Sequence, residues 1–146
     1  MATIIVKEER ELEHVAETFL GMLKMQDRAS IIALTGDLGA GKTALTKAIA
    51  RVLGVSEHVT SPTFVIMKSY PIPHHERFST LTHIDAYRID DEKELTVLGF
   101  EELLVDPKRL LVIEWPERVK TLMPETAHMI RIDIGKENER IISYGD

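Results

Sequence analysis

The octapeptide GDLGAGKT, Gly36 to Thr43, follows the apolar run SIIALT and opens a segment whose Ala44, Leu45, Ala48, Ile49, Val52 and Leu53 recur at helical spacing before Gly54 stops it. Strand, glycine loop and helix in that order are the setting in which G-x-x-x-x-G-K-[ST] reads as a phosphate-binding loop rather than as a glycine-rich turn. Gly36, Gly39 and Gly41 let the chain turn with positive φ, so that successive N–H groups of Asp37, Leu38, Ala40 and their neighbours point inward and join the helix N-terminus in an anion cradle. Lys42 is then placed to bridge the β- and γ-phosphates, Thr43 to offer its hydroxyl to magnesium, and Ala44 to contribute its N–H.

The remaining chain supplies alternating elements around this unit. A short extended TIIV precedes a helical pattern at Leu12, Val15, Ala16, Phe19, Leu20 and Leu23. TFVIMKSY and FSTLTHID read as two strands joined by the turn-rich PIPHHER, and DDEKELTVLGFEELL as helical pieces broken near Gly99. RLLVIEW is a fully apolar strand ending on a carboxylate, and HMIRIDI and RIISY flank GKENE as a C-terminal hairpin. At 146 residues this predicts one domain, residues 1–146, with a three-layer α/β P-loop NTPase fold: a mixed, mostly parallel central sheet and a C-terminal antiparallel hairpin.

Composition narrows the function classes. No apolar run approaches the length a bilayer needs, and MATIIVKEERELEH lacks the basic start and long apolar stretch of a signal peptide, which points to the cytoplasm and to no membrane partner. The absence of cysteine removes disulfides, thiolate zinc sites and cysteine nucleophiles. A formal net charge of −6 argues against sequence-independent nucleic-acid binding, which needs Lys and Arg against phosphates. If the protein serves an RNA pathway, a partner holds the RNA.

A P-loop enzyme also needs an acidic residue at the carboxyl end of a neighbouring strand. Glu114 closes LLVIE and Asp85 closes TLTHID; each also fits a plainer role as a strand-end or helix-start cap. Thr63 in SPTF stands where nucleotide switches carry a phosphate-sensing threonine, and also fits a turn entering a strand. Arg88 is either a transition-state cation or an ion pair with the acidic DDE. Trp115 belongs to the core or to the rim of the site. His74 and His75 read as solvated turn residues. An Asn-Lys-x-Asp base-reading motif and an Asp-x-x-Gly are both missing, which sets ATP ahead of GTP. A small-molecule phosphotransferase and a non-hydrolysing nucleotide-gated binding module remain as alternatives.

GDLGAGKT, SPTF, HIDAYR (His83 to Arg88), ELTVLGFEE (Glu94 to Glu102) and EWPE (Glu114 to Glu117), in this order and spacing, resemble the bacterial TsaE family, formerly YjeE. The resemblance runs from about Ile31 to Glu117 and implies a magnesium-dependent P-loop ATPase required for threonylcarbamoyladenosine in tRNA. It implies a protein that acts with a TsaB and TsaD complex and meets tRNA only through those partners. It carries the phosphate loop onto Gly36 to Thr43, metal ligation onto Thr43 and Glu114, a second functional carboxylate onto Asp85, which we group with the metal site, and the switch threonine onto Thr63. Ala44 departs from the pattern, since many members have Ser or Thr there. Adenine contacts are implied around the first strand-helix junction, Glu9 to Glu11, with Glu11 as the candidate. Lys42→Ala is expected to abolish nucleotide binding or turnover, measured by titration with a fluorescent ADP analogue and by phosphate release; unchanged values of both would remove the phosphate-loop reading.

Overall fold

Ser30–Thr35 (β2) and Arg109–Glu114 (β5) are buried almost end to end, as expected of parallel strands covered on both faces. They form the centre of a seven-stranded sheet ordered β1-β7-β6-β2-β5-β4-β3. The other strands are Ala2–Val6 (β1), Met67–Pro71 (β3), Thr80–Asp85 (β4), His128–Ile134 (β6) and Arg140–Tyr144 (β7). The structure is a computed structural model and describes residues 2–60 and 66–145; the SPTF motif, Thr63 included, lies outside the described residues. Strands β6, β2, β5 and β4 run parallel, and β1, β7 and β3 pair antiparallel at the two edges. The mixed sheet and the C-terminal hairpin are as the sequence predicts. The structure adds β1 as the hairpin's third strand, paired with β7 from Ala2↔Tyr144 to Val6↔Arg140.

Alternation along the central strands divides the core in two. Ile32 and Leu34 of β2 and Leu110 and Val112 of β5 face helices α1 (Leu12–Met22) and α2 (Lys42–Leu53). Ile31 of β2 and Leu111 and Ile113 of β5 face the short helices α3 (Lys93–Val97) and α4 (Phe100–Leu104), through Ile89, Leu95 and Phe100. Helix α2 turns Leu45, Ala48, Ile49 and Leu53 inward at three- and four-residue spacing. It ends where Gly54 adopts φ +83° and Val55 N–H returns to Ala50 O at 3.0 Å. Among the described residues no helix is long and apolar enough to cross a membrane.

Register decides where chemistry can occur. Leu34 of β2 and Asp85 of β4 both stand opposite Glu114 of β5, so three parallel strands end at one level, beside the N-terminus of α2. Expected and observed elements differ mainly at ends. β4 begins at Thr80 rather than Phe78, because Ser79 N–H turns aside to Lys108 O at 2.8 Å. A 3-10 turn at Pro116–Leu122, unforeseen in the sequence pattern, follows β5. His74 and His75 are exposed as expected, and His75 also closes the PIPHHER turn, its Nδ1 accepting the N–H groups of Arg77 and Phe78 at 3.0 and 3.1 Å. Phe100, fully buried between α4 and the sheet, is expected to cost about 3–5 kcal/mol on truncation to Ala. Exposed Val97→Ala should stay within roughly 0.5 kcal/mol; urea unfolding of the two variants checks both.

Candidate functional site

The loop between β2 and α2 has the backbone that the glycine pattern requires. Gly36, Gly39 and Gly41 lie at φ +145°, +81° and +114°, and α2 starts at Lys42, which leaves the N–H groups of its first turn without intrahelical partners. Gly36 has a second reason to be glycine: a Cβ there would lie 2.2 Å from the Ile132 carbonyl oxygen of β6. Asp37, Leu38 and Gly39 are exposed, whereas Ala40 is fully buried and its N–H is already bonded to Asp37 O at 3.0 Å. Ala40 therefore anchors the loop to the core while its neighbours form the rim.

Lys42 is 4% exposed, and its Nζ donates to the carbonyls of Gly36 and Asp37 at 2.6 and 2.9 Å. The ammonium also lies 4.2 Å from the centre of the Trp115 ring. Burial pushes its pKa below the ordinary lysine value, and the negative charges of Glu114, Glu117, Asp85 and Asp37 oppose that shift. This cation has carbonyl dipoles and an aromatic face as its immediate partners, and a phosphate oxygen would replace them with a full charge.

Glu114 is buried at 3% exposure. The Thr43 hydroxyl lies 3.2 Å from each of its carboxylate oxygens, and His83 Nε2 lies 2.5 Å from Oε2. A hydroxyl and a buried carboxylate in contact at a helix N-terminus form a hard oxygen pair. They suit a small divalent cation that takes its other ligands from phosphate and water. Among the described residues no group of three or more His, Cys, Asp or Glu gathers as an all-protein metal cage, and that pattern of shared ligation does not need one.

Asp85 stands opposite Glu114 in the sheet, and its Oδ1 accepts Tyr87 N–H at 3.0 Å. It caps the turn after β4 and at the same time lines a cleft of about 380 Å³ with Gly39, Lys42, Thr43, Glu114 and Trp115. Tyr87, Arg88, Leu38, Gly41 and Ala44 complete this wall. Arg88 is exposed there, while Asp91 and Glu92 bond to Lys93 N–H and to Thr121 instead. Trp115 joins the two roles left open for it. It packs on the second core cluster and forms the rim, held at φ +59° with its N–H on Leu34 O at 3.1 Å.

A second cavity, of about 180 Å³, shares Gly41 and Ala44 with the cleft. It runs between Val6 to Glu9, Leu12 and the β6–β7 hairpin, with Asn138 and Arg140 on its far wall. Glu11 does not line it; its Oε1 accepts the N–H groups of Lys7 and Glu8 at 3.0 and 2.8 Å and caps the 3-10 turn at Glu9–Glu11.

The family model for threonylcarbamoyl adenosine biosynthesis protein TsaE matches residues 6–142. The chain belongs to the TsaE family. Relatives include the tRNA threonylcarbamoyladenosine biosynthesis protein TsaE of Bacillus subtilis, 36% identical over 114 residues, 78% of this chain and 68% of that one. The protein of the same name from Rickettsia felis is 33% identical over 141 residues, 96% of this chain and 77% of the relative. The crystal structure of Bacillus subtilis YdiB superposes with a TM-score of 0.76 at 26% identity, covering 98% of this chain and 83% of that one.

In this TsaE family member the structure brings Lys42, Thr43, Asp85 and Glu114 into one cleft, and leaves Glu11 outside both cavities. Arg140, Asn138 and Tyr87 escaped the sequence reading. Tyr87 lies within HIDAYR, whereas Arg140 and Asn138 come to the cavity beside the loop through the pairing of β7 with β6 and β1. The contrast between two loop glycines is testable. Gly39→Ala meets open space and should cost only the left-handed penalty, roughly 1–2 kcal/mol. Gly36→Ala adds a backbone clash and should cost more, with a larger loss of ADP affinity; denaturant midpoints and nucleotide titration compare the two.

Proposed function

We propose that this protein is a magnesium-dependent ATPase that serves the formation of threonylcarbamoyladenosine in tRNA. The supporting observation is the single cleft in which a positive-φ glycine loop, the Lys42 ammonium and the Thr43–Glu114 oxygen pair all meet. The N–H groups of the loop and of the first turn of α2 bind the phosphate chain, and Lys42 turns from its carbonyl partners onto the terminal phosphates. Thr43 and Glu114 would hold magnesium, with Asp85 at the same edge to hold its water or orient the attacking one. The cation, when bound, supplies charge neutralisation on the β- and γ-oxygens. Ala44 offers an N–H but no hydroxyl, so the α-phosphate contact lacks one hydrogen bond relative to a Ser or Thr.

The cavity beside Ala44 takes the nucleoside, with Arg140, Asn138 and the Lys7 to Glu9 backbone in place of Glu11. Thr63 keeps its proposed role as the switch threonine, which rests on its place in SPTF. Slow turnover alone and faster turnover with partners are the proposed behaviour; it is supported by Arg88, the one arginine among the described residues of the cleft wall, being exposed there. A TsaB and TsaD complex is the proposed partner, and the net charge of −6 fits contact with tRNA through those proteins. ATP hydrolysis should rise at least tenfold on adding TsaB and TsaD, and equal rates would sink partner activation. Glu114→Ala and Asp85→Ala should each lower magnesium-dependent turnover by about 100-fold or more. Normal hydrolysis by both variants, or a phosphorylated acceptor in place of free phosphate, would overturn the assignment.

A further inference from the structure

His83 lies on β4, two residues before Asp85 and on the same face of the sheet, with none of its surface exposed. It pairs across the sheet with Val112, two residues before Glu114, so its ring reaches diagonally along the strand to the carboxylate. Nε2 lies 2.5 Å from Glu114 Oε2, and Nδ1 is buried with no hydrogen-bond partner among the described residues. With Nε2 committed to the carboxylate, the other ring nitrogen has no described group to replace its lost water. A core position selected for packing alone would favour an apolar side chain; this one keeps a nitrogen with no partner among the described residues and, with it, one bond to Glu114.

That bond distinguishes the two carboxylate oxygens. The Thr43 hydroxyl is equidistant from both, at 3.2 Å, and by itself would let the carboxylate pivot. Of the two carboxylate oxygens His83 engages Oε2, and among the described residues the hydrogen-bond partner of Oε1 is the Thr43 hydroxyl. We propose that His83 is a positioning residue, which holds the Glu114 carboxylate so that Oε1 faces a divalent cation beside Thr43. The inference rests on the reading of Thr43 and Glu114 as metal ligands, and assigns to a side chain outside the cleft wall the work of orienting one of them. Hydrogen-bonded partners of a ligating carboxylate fix its direction and basicity, and their loss weakens metal binding about 10–100-fold.

The test measures metal affinity rather than turnover. Mn²⁺ binding to the ADP-loaded protein is followed by electron paramagnetic resonance for wild type, His83→Phe and His83→Gln, alongside metal-free ADP affinity and melting temperature. The expected result for His83→Phe is a folded protein with metal-free ADP affinity within about twofold of wild type and Mn²⁺ affinity weakened about 10–100-fold. His83→Gln, whose amide donates from a similar reach, should recover a substantial part of the loss. In a Glu114→Gln background, His83→Phe should add almost nothing, because the histidine acts through that carboxylate. A folded His83→Phe that binds Mn²⁺ as wild type does, or that costs as much in the Glu114→Gln background, overturns the proposal. If His83→Phe fails to fold, His83→Gln and His83→Asn replace it, and equal Mn²⁺ affinity in that pair overturns the proposal, since the Asn amide is too short to reach Oε2. Failure of wild type itself to bind Mn²⁺ with ADP would instead remove the metal-site reading on which the inference stands.

Discussion

A carboxylate at 3% exposure has lost its water and is costly in a protein interior unless hydrogen-bond partners replace it. Glu114 meets that requirement with Thr43 from the start of α2 and His83 from β4, so one side chain ties a helix and two strands to a common point. The register that aligns Leu34, Glu114 and Asp85 is what makes those donors available. A shift of β5 by one residue would turn Glu114 to the other face and place an apolar residue beside the phosphate loop. The parallel centre of the sheet and the geometry of the cleft are therefore two results of one constraint.

The loop itself is held from both ends. Ala40 is packed in the core, Gly36 is pressed against the Ile132 carbonyl, and Lys42 is folded onto the loop's own carbonyls and the Trp115 ring. These contacts fix the loop's backbone, so under the proposed function a phosphate chain would meet a loop already ordered. Trp115 sits at φ +59°, a conformation that costs a non-glycine residue of order 1–3 kcal/mol. Its N–H bond to Leu34 O and its packing on Tyr87 offset that cost. The strained residue thus joins β5, β2 and the aromatic wall of the cleft at the point where the Lys42 ammonium rests on its ring.

Most elements were legible because their local signals agree with their tertiary surroundings. β2, β6 and β7 match the runs SIIALT, HMIRIDI and RIISY residue for residue, since uninterrupted or alternating β-branched residues and turn residues at both ends leave little competition. The break at Gly99 was visible for the same reason; a left-handed residue there separates α3 from α4. Less legible was the 3-10 turn after Trp115, where Pro116 starts a helical turn that Val119 interrupts at φ −130°. No hydrophobic period marks a segment that short. Glu11, near the first strand-helix junction, shows what residue type does not reveal: its carboxylate accepts the backbone N–H groups of Lys7 and Glu8.

What the sequence determined by itself was the phosphate loop, the strands and helices that flank it, and which carboxylates end buried strands. These depend on φ preferences, periodicity and residue chemistry over short spans, and a chain carries such information locally. Which carboxylates share the cleft, which histidine touches Glu114, and that Arg140 and Asn138 line the cavity beside the loop were decided only by the tertiary structure. Those relations depend on strand order and register, through pairings between residues far apart in the chain. In a sheet, a change of neighbour or of one residue in register sends the same side chains to different places.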